Sequence, residues 1–377
     1  MISILKSLST PTMASELYEK GKIRLVYSKS KVKKAGETIR KAEVSQEAVM
    51  ILQNYRAAHL YPLTIIKNLV WKNLKQCAPD AIIARRLKRL PTIIDKLKRK
   101  TLDGSTNNAI CLTRMQDIGG CRVIVADKEQ LILINSRMDA SRNVHSSKVT
   151  DYNKNPKPSG YRGIHRVYKC YDKLEKHDWK GFSIELQLRT KLQHLWATTV
   201  EIVDLCEGLT LKTNPSNSNS FWVSFFCEMS DFLADEETFI YLTNEQKNKK
   251  KNKLIFLDRE LNAIQKLRSF NSIFSNKFII ELHRKNRYAI IAINRKEEKT
   301  YYQFFRENQK IEAIKLYGQL ESDAGWNGLF VEMDDLRQLE LAYPNYLIDT
   351  RLFINKFKEY TESSYWTNPS RNRKSSL

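Results

Sequence analysis

Four separated segments carry residue types suited to handling a polyphosphate. The first is Arg86-x-Lys88 with Thr92 and Lys96. The second runs from Asp117 through Ile-Gly-Gly-Cys to Arg122. The third is Asn155-Pro-Lys157-Pro-Ser-Gly160-Tyr161-Arg162-Gly163-Ile-His165. The fourth is Glu185-Leu-Gln187-Leu-Arg189-Thr190, with His194 beyond it. Two carboxylates from different strands can hold Mg²⁺, a hard cation that takes oxygen ligands and keeps several waters. Lysines and arginines spread over phosphates neutralise charge that develops during transfer. A Gly-Tyr loop can offer an aromatic plate to a base. Taken singly, each pattern has a plain reading. An Asp before a strand caps a turn, a basic helix is a solvated face, and a Gly-Tyr pair in a Pro-rich loop is only a loop.

These segments need elements to position them. Arg122–Ala126 (RVIVA), Val167–Tyr171 and Phe182–Leu188 (FSIELQL) read as strands, the last with strict alternation. Asp117 precedes the first strand and Glu185 lies within the third, so both can converge on one sheet face. Helical patterns start at Ser45, an N-cap candidate, and are divided near Pro62. Residues 81–100 show apolar positions Ile83, Leu87, Leu90, Ile94 and Leu97 at helical spacing, with Arg85, Arg86, Lys88, Arg89 and Lys96 on the other faces. Thr190–Cys206, Phe221–Leu233 and Leu257–Leu267 are further helices, and 244–253 (NEQKNKKKNK) reads as a polar, basic loop. Residues 19–41 read as an extended basic arm with a short strand at Ile23–Tyr27. Interleaved strands and helices predict an α/β (α+β) fold, a mixed sheet flanked by helices. A smaller unit follows: a hairpin of Phe278–His283 and Tyr288–Asn294, a helix over Tyr301–Tyr317, a strand at Leu329–Met333 and a last helix near Thr350–Tyr360. The divisions expected are 1–43, a basic N-terminal arm; 44–270, the domain that carries the four segments; and 271–377, a C-terminal domain.

The chain has 377 residues and a net charge of +22, from 64 Lys+Arg against 42 Asp+Glu. That excess fits a Lys-rich protein of an A/T-rich genome, or a partner made of polyphosphate or nucleic acid. No apolar run is long enough to span a bilayer, and the opening residues make a poor signal peptide. Six cysteines without a C-x-x-C pair suggest reduced thiols and a cytoplasmic protein.

In order and spacing, the four segments resemble the RelA/SpoT alarmone synthetase family across roughly residues 80–205. The resemblance implies a nucleotidyltransferase-like core that moves the β,γ-diphosphate of ATP to an acceptor hydroxyl and releases AMP, with Mg²⁺ as cofactor. It implies Asp117 and Glu185 as catalytic metal ligands, with Glu185 also a candidate base. Arg86 and Arg122 would sandwich adenine, while Lys88, Thr92 and Lys96 complete the ATP site. Tyr161 would stack on the acceptor base, with His165, Gln187, Arg189, Lys154 and Lys157 on the acceptor side. Gly163 and Thr198 depart from the family, where Ser and Glu are usual, and leave the acceptor open.

The C-terminal Ala342-Tyr343-Pro344-Asn345-Tyr346 and Asp349-Thr350, with the NYRAAHLYPL stretch around His59 and the segment Gln193–Thr198, resemble the CapRel group of fused toxin–antitoxin synthetases. That implies a C-terminal domain of zinc-finger-like fold without zinc, closing over the synthetase through Tyr343 and Tyr346. A phage structural protein such as the major capsid protein would release it, the acceptor would be the 3′ CCA end of tRNA, and translation would stop. Two alternatives remain: a (p)ppGpp synthetase acting on GDP or GTP, and a catalytically inactive RNA-binding module. No membrane or DNA partner is expected.

Overall fold

The computed structural model describes residues 22–41, 45–99, 110–207, 209, 211, 220–273, 286–294, 299–322, 326–332 and 350–362. Tyr343, Tyr346 and the expected strand Phe278–His283 lie outside them. Eight strands form one mixed sheet in the order β3-β4-β5-β2-β1-β8-β6-β7. They are β1 (Ile82–Leu87), β2 (Gly119–Val125), β3 (Ser146–Asp151), β4 (Ile164–Lys169), β5 (Ser183–Thr190), β6 (Asn286–Asn294), β7 (Lys299–Arg306) and β8 (Trp326–Glu332). Only β2 and β5 run parallel; the other neighbours are antiparallel. The α/β class read from the sequence is the one observed.

Alternation sends Ile184, Leu186 and Leu188 of β5 into the core and leaves Glu185 and Gln187 on the opposite face. The core face is covered by α2 (Gln46–Ala58), α3 (Leu60–Leu74) and α5 (Lys128–Ala140), whose Leu52, Ile66, Val70, Leu131 and Ile134 join the strand residues in one hydrophobic cluster. Helices α2 and α3 divide at His59, and Pro62 sits in the first turn of α3, where its missing N–H costs nothing.

Several expectations change. The N-terminal arm contains a helix, α1 (Lys29–Arg40), capped by Ser28 and burying Val32, Ala35, Gly36 and Ile39. A Cβ on Gly36 would stand 2.8 Å from Leu112 Cβ, so only glycine admits this close approach. Residues 81–100 are strand β1 followed by α4 (Leu90–Lys98). Pro91 at the start of α4 and the extended Arg89 before it mark the change of conformation. The lysine run at 244–253 is helical, within α8 (Asn244–Leu261), behind a Thr243–Gln246 capping box. Lys247 pairs with Asp235, Lys250 with Glu228 and Asp231, and Lys253 with Glu228, all on α7 (Ser220–Glu236), so part of the charge is locally neutralised.

A second hydrophobic cluster joins α6 (Lys191–Cys206), α7, α8, α9 (Ala263–Ile273) and α11 (Arg351–Thr361). Phe225 stacks on Phe357 and Phe232 on Tyr360, so the last helix is part of this core. Lys356 and Tyr360 both reach Glu236, and the Thr350 hydroxyl donates to Leu267 O at 2.7 Å. Between α9 and α11, strands β6–β8 and α10 (Lys310–Ser322) extend the sheet. The expected helix over Tyr301–Tyr317 begins as strand β7, paired with β6, and becomes α-helical only from Lys310. β8 meets β1 at Arg85↔Glu332. Tyr317 of α10 accepts a hydrogen bond from Arg56, whose Nε donates to Lys88 O.

Candidate active site

Register brings the motif residues to one face. Arg86 lies opposite Gly120, which lies opposite Glu185; one step along, Arg122 lies opposite Gln187, which lies opposite His165. Four sequence-distant segments thus become neighbours because directly opposed residues share a face. Asp117 stands just before β2. Lys96 Nζ lies 2.9 Å from both of its carboxylate oxygens and Lys88 Nζ lies 3.1 Å from Oδ2. Burial works to raise the Asp117 pKa, but the two ammoniums outweigh it and hold it below the usual value. The Lys88 ammonium is pulled down by burial, against the pull of Asp117. Thr92 and Lys96 are four residues apart on α4 and share a helix face.

Around Glu185 the hydrogen bonds close a ring. Arg189 Nη2 donates to Gln187 Oε1 at 2.9 Å, and Gln187 Nε2 donates to Glu185 Oε2 at 2.8 Å. On the other side Arg189 Nε donates to the Tyr161 hydroxyl at 3.2 Å. That hydroxyl lies 2.6 Å from His165 Nε2, and His165 Nδ1 lies 3.0 Å from Glu185 Oε1. Arg189 can only donate and an ionised Glu185 can only accept. The directions therefore follow: Tyr161 O–H donates to Nε2, and a neutral His165 donates from Nδ1. Burial lowers the His165 pKa against the pull of Glu185, consistent with the neutral ring. For Glu185, burial is outweighed by the bonds from His165 and Gln187 and by Lys88, which bring its pKa to about 2. The carboxylate is charged and oriented at neutral pH.

The acceptor-side residues divide. Tyr161 is 2% exposed and Arg189 is fully buried. Gln187 is spent on Glu185. Lys154 is exposed on the loop, and Lys157 Nζ lies over the rings of Tyr152 (4.6 Å) and Tyr161 (5.1 Å). Arg162 is not part of a surface basic track: it is buried, with bonds to Ser230, Asp231 and the Asn153 carbonyl that fasten the loop to α7. Gly163 has φ +139°, and a Cβ there would meet Leu188 O at 3.1 Å and the Tyr161 hydroxyl at 3.3 Å. Glycine at this position lets the loop fold tightly over Tyr161. Two residues went unnoticed in the sequence. Tyr152, beside His165, was signalled only by its place ahead of the Asn-Pro loop. Glu237, whose carboxylate accepts from Thr190 at 2.8 Å, had no signal at all.

Residues 85–202 match the family described as "Region found in RelA / SpoT proteins". The chain therefore carries a RelA/SpoT-type region, and its site residues fall within it. It is 27% identical over 113 residues to the GTP pyrophosphokinase YwaC of Bacillus subtilis (strain 168), covering 30% of this chain and 52% of that protein. It is 26% identical over 121 residues to GTP pyrophosphokinase YjbM of the same organism, covering 32% and 54%. The chain thus spans about half the length of the curated relatives it matches. Among solved structures, it overlaps the small alarmone synthetase 1 of Bacillus subtilis (21% identity, TM-score 0.35, 48% of this chain and 91% of that one). A GTP pyrophosphokinase family protein from Streptococcus pneumoniae overlaps it too (18% identity, TM-score 0.36, 54% and 96%).

Proposed function

We propose that this chain is an ATP-dependent diphosphotransferase. The observation that carries the reading is the pairing, inside a RelA/SpoT-type region, of Asp117 under Lys88 and Lys96 with a clamped, ionised Glu185. An acceptor hydroxyl oxygen bonds to the β-phosphorus of ATP, the bond from that phosphorus to the α-phosphate oxygen breaks, and AMP leaves with that oxygen. The hydroxyl proton passes to Glu185. Lys88 and Lys96 turn from Asp117 to the phosphate oxygens. Arg86 and Arg122 sit diagonally on adjacent antiparallel strands. Such a diagonal spans about 7–8 Å, room for a flat base with a stacking gap of about 3.5 Å on each side. That spacing supports the adenine sandwich.

Asp117 and Glu185 fit Mg²⁺, which needs one or two carboxylates beside substrate phosphates. The two carboxylates lie close enough for the charge of Glu185 to raise the Asp117 pKa. When bound, the ion would neutralise charge on the transferring phosphates.

For the acceptor, the reading is the 3′ CCA end of tRNA, supported by the net charge of +22 and the exposed Lys154 at the loop. GDP or GTP is the second reading, favoured by relatives named GTP pyrophosphokinases. The region from 271 onward would be a regulatory domain that inhibits the enzyme through Tyr343 and Tyr346 until a phage structural protein, such as the major capsid protein, binds. This makes the chain a cytoplasmic anti-phage toxin–antitoxin fusion. Among the described residues, no helix is long and apolar enough to cross a membrane. The test offers γ-labelled ATP with total tRNA, GDP or GTP and follows the label. Label on tRNA supports the first reading, label on GDP or GTP alone the second, and no label in any acceptor from either the full chain or a folded chain with residues 274–349 replaced by a linker refutes both.

A further inference from the structure

Lys88 is tied at its side chain and at both of its backbone polar groups. Its Nζ lies 3.1 Å from Asp117 Oδ2, its N–H donates to Ile118 O at 2.7 Å, and its carbonyl accepts from Arg56 Nε at 2.6 Å. The residue sits between two regular elements. The β1–β2 register ends at Leu87↔Gly119, and extended Arg89 leads on to Pro91 and α4. Neither the sheet ladder nor a helix fixes the backbone at this point, so the individual ties decide where the lysine side chain points.

Arg56 reaches Lys88 from a fixed base. Helix α2 buries Leu52, Tyr55 and Ala58 in the hydrophobic cluster, and half-buried Arg56 projects from the same stretch. A guanidinium donating to a carbonyl makes a charge-assisted hydrogen bond, the stronger kind. The same group has a second arm. Nη2 donates to the Tyr317 hydroxyl at 3.2 Å, and Cζ lies 5.3 Å from the centroid of that ring. Tyr317, buried on α10, belongs to the sheet extension. Arg56 thus has two tasks open to it, docking α10 and holding the backbone of Lys88. The atoms differ: Nη2 and the guanidinium face serve the first, Nε the second.

We propose that Arg56 is a positioning residue for ATP use, holding the Lys88 carbonyl so that the ammonium can pass from Asp117 to the ATP phosphates without the backbone following. This assignment rests on the diphosphotransfer reading above, in which Lys88 makes that turn. Once Nζ leaves Asp117, the side-chain tie is gone and the two backbone ties alone keep the β1–α4 junction in place. Without Arg56, Lys88 O loses its donor and the junction is free to shift. A displaced ammonium gives up a charge-assisted bond to phosphate, worth about tenfold or more in affinity.

The experiment compares the full chain with Arg56→Met, Arg56→Gln and Tyr317→Leu. Methionine keeps an unbranched stem and has no donor. Glutamine carries Nε2 the same number of bonds from the backbone as arginine Nε, so it keeps the bond to Lys88 O while losing the arm to Tyr317. Tyr317→Leu removes the docking contact and leaves Arg56 Nε in place. Steady-state transfer from γ-labelled ATP to GDP and to total tRNA gives the KM for ATP and for acceptor. Hydrogen exchange over residues 87–90 reports the Lys88 N–H without requiring activity. Arg56→Met is expected to raise the KM for ATP about tenfold, leave the acceptor KM unchanged and speed exchange at Lys88. Arg56→Gln is expected to stay within about threefold of wild type. Tyr317→Leu is expected not to raise the KM for ATP. Should Arg56→Met fail to fold, Arg56→Ala takes its place. An unchanged KM for ATP in the folded donorless variant overturns the assignment, and unchanged exchange at Lys88 overturns the hold itself. A Tyr317→Leu variant that raises the KM for ATP equally also overturns it, because docking alone then accounts for the effect. If neither the full chain nor the folded linker chain labels any acceptor, the transfer reading falls and this assignment falls with it.

Discussion

Glu237 gives the sharpest test of the electrostatics behind the site. Its carboxylate accepts from Thr190, the N-cap of α6 and the residue after Arg189, at 2.8 Å. It lines a small cavity with Arg162, Gln193, Trp196, Ser230, Leu233 and Ala234. Burial, with smaller help from Glu236, Asp127 and Glu129, lifts its pKa from 4.5 to about 8, against the Thr190 hydrogen bond. The folded chain therefore keeps this proton at pH 7, where the unfolded chain has released it. Below about pH 4.5 both states are protonated and there is no penalty. Between about 4.5 and 8 the unfolded state binds fewer protons, so stability falls as pH rises. A shift of 3.5 units, from 4.5 to about 8, at about 1.4 kcal/mol per unit gives an upper bound near 5 kcal/mol. Water entering the cavity would reduce that, and a loss of about 2–4 kcal/mol is expected. Glu237→Gln keeps an oxygen for the Thr190 hydroxyl and removes the titration. Urea unfolding at pH 5, 6, 7 and 8 is expected to show a stability loss in wild type that the variant lacks. Parallel curves for the two proteins would refute the reasoning.

Asp117→Asn and Glu185→Gln are each expected to lower transfer by at least about a hundredfold with an unchanged circular dichroism spectrum, because both carboxylates would hold the metal that offsets phosphate charge and Glu185 takes the hydroxyl proton; near wild-type labelling in both would remove them from the chemistry. If tRNA is the acceptor, transfer at sub-saturating tRNA should fall steeply with salt, and Lys154→Gln with Lys157→Gln should flatten the slope by about two units of log K per log salt, read from binding titrations. Cutting the chain at residue 271 should yield aggregated protein, since it strips Phe353, Phe357 and Tyr360 from the second hydrophobic cluster. Replacing residues 274–349 by a short linker keeps α11; under the proposed inhibition it should give a folded protein with higher basal transfer, and a folded protein with equal or lower transfer would refute that inhibition.

The legible parts of the fold were those where one physical signal had no competitor. β5 was readable because Phe182–Leu188 alternates without interruption, and the residues that the register brings to one face were picked out by their order and spacing. β1 was not, because Ile83, Leu87, Leu90 and Ile94 fit a helix while the same residues fit a strand followed by a helix; pairing with β2 decided it. Lysines hid two helices. In α1 the face made by Val32, Ala35 and Ile39 is narrow, and in α8 the acidic residues that neutralise the lysines come from α7, far away in sequence. The motifs named the residues around Glu185 but not their connections. That Arg189 feeds both arms of one clamp depends on β4 and β5 lying side by side, which no local pattern states.

The sheet extension from β6 to β8 interrupts a helical core that resumes at α11, so it is held at two points rather than hung from one. A module fastened at both ends cannot diffuse away, so its encounter with β1 stays within the chain. Its hold on β1 is short, one registered pair at Arg85↔Glu332. Shedding it would release the backbone edge of β1 at that pair, and an exposed strand edge is a template for another strand. Detachment and strand exchange would then be linked events: a chain that has let go of its own β8 becomes a template for β8 of a second copy.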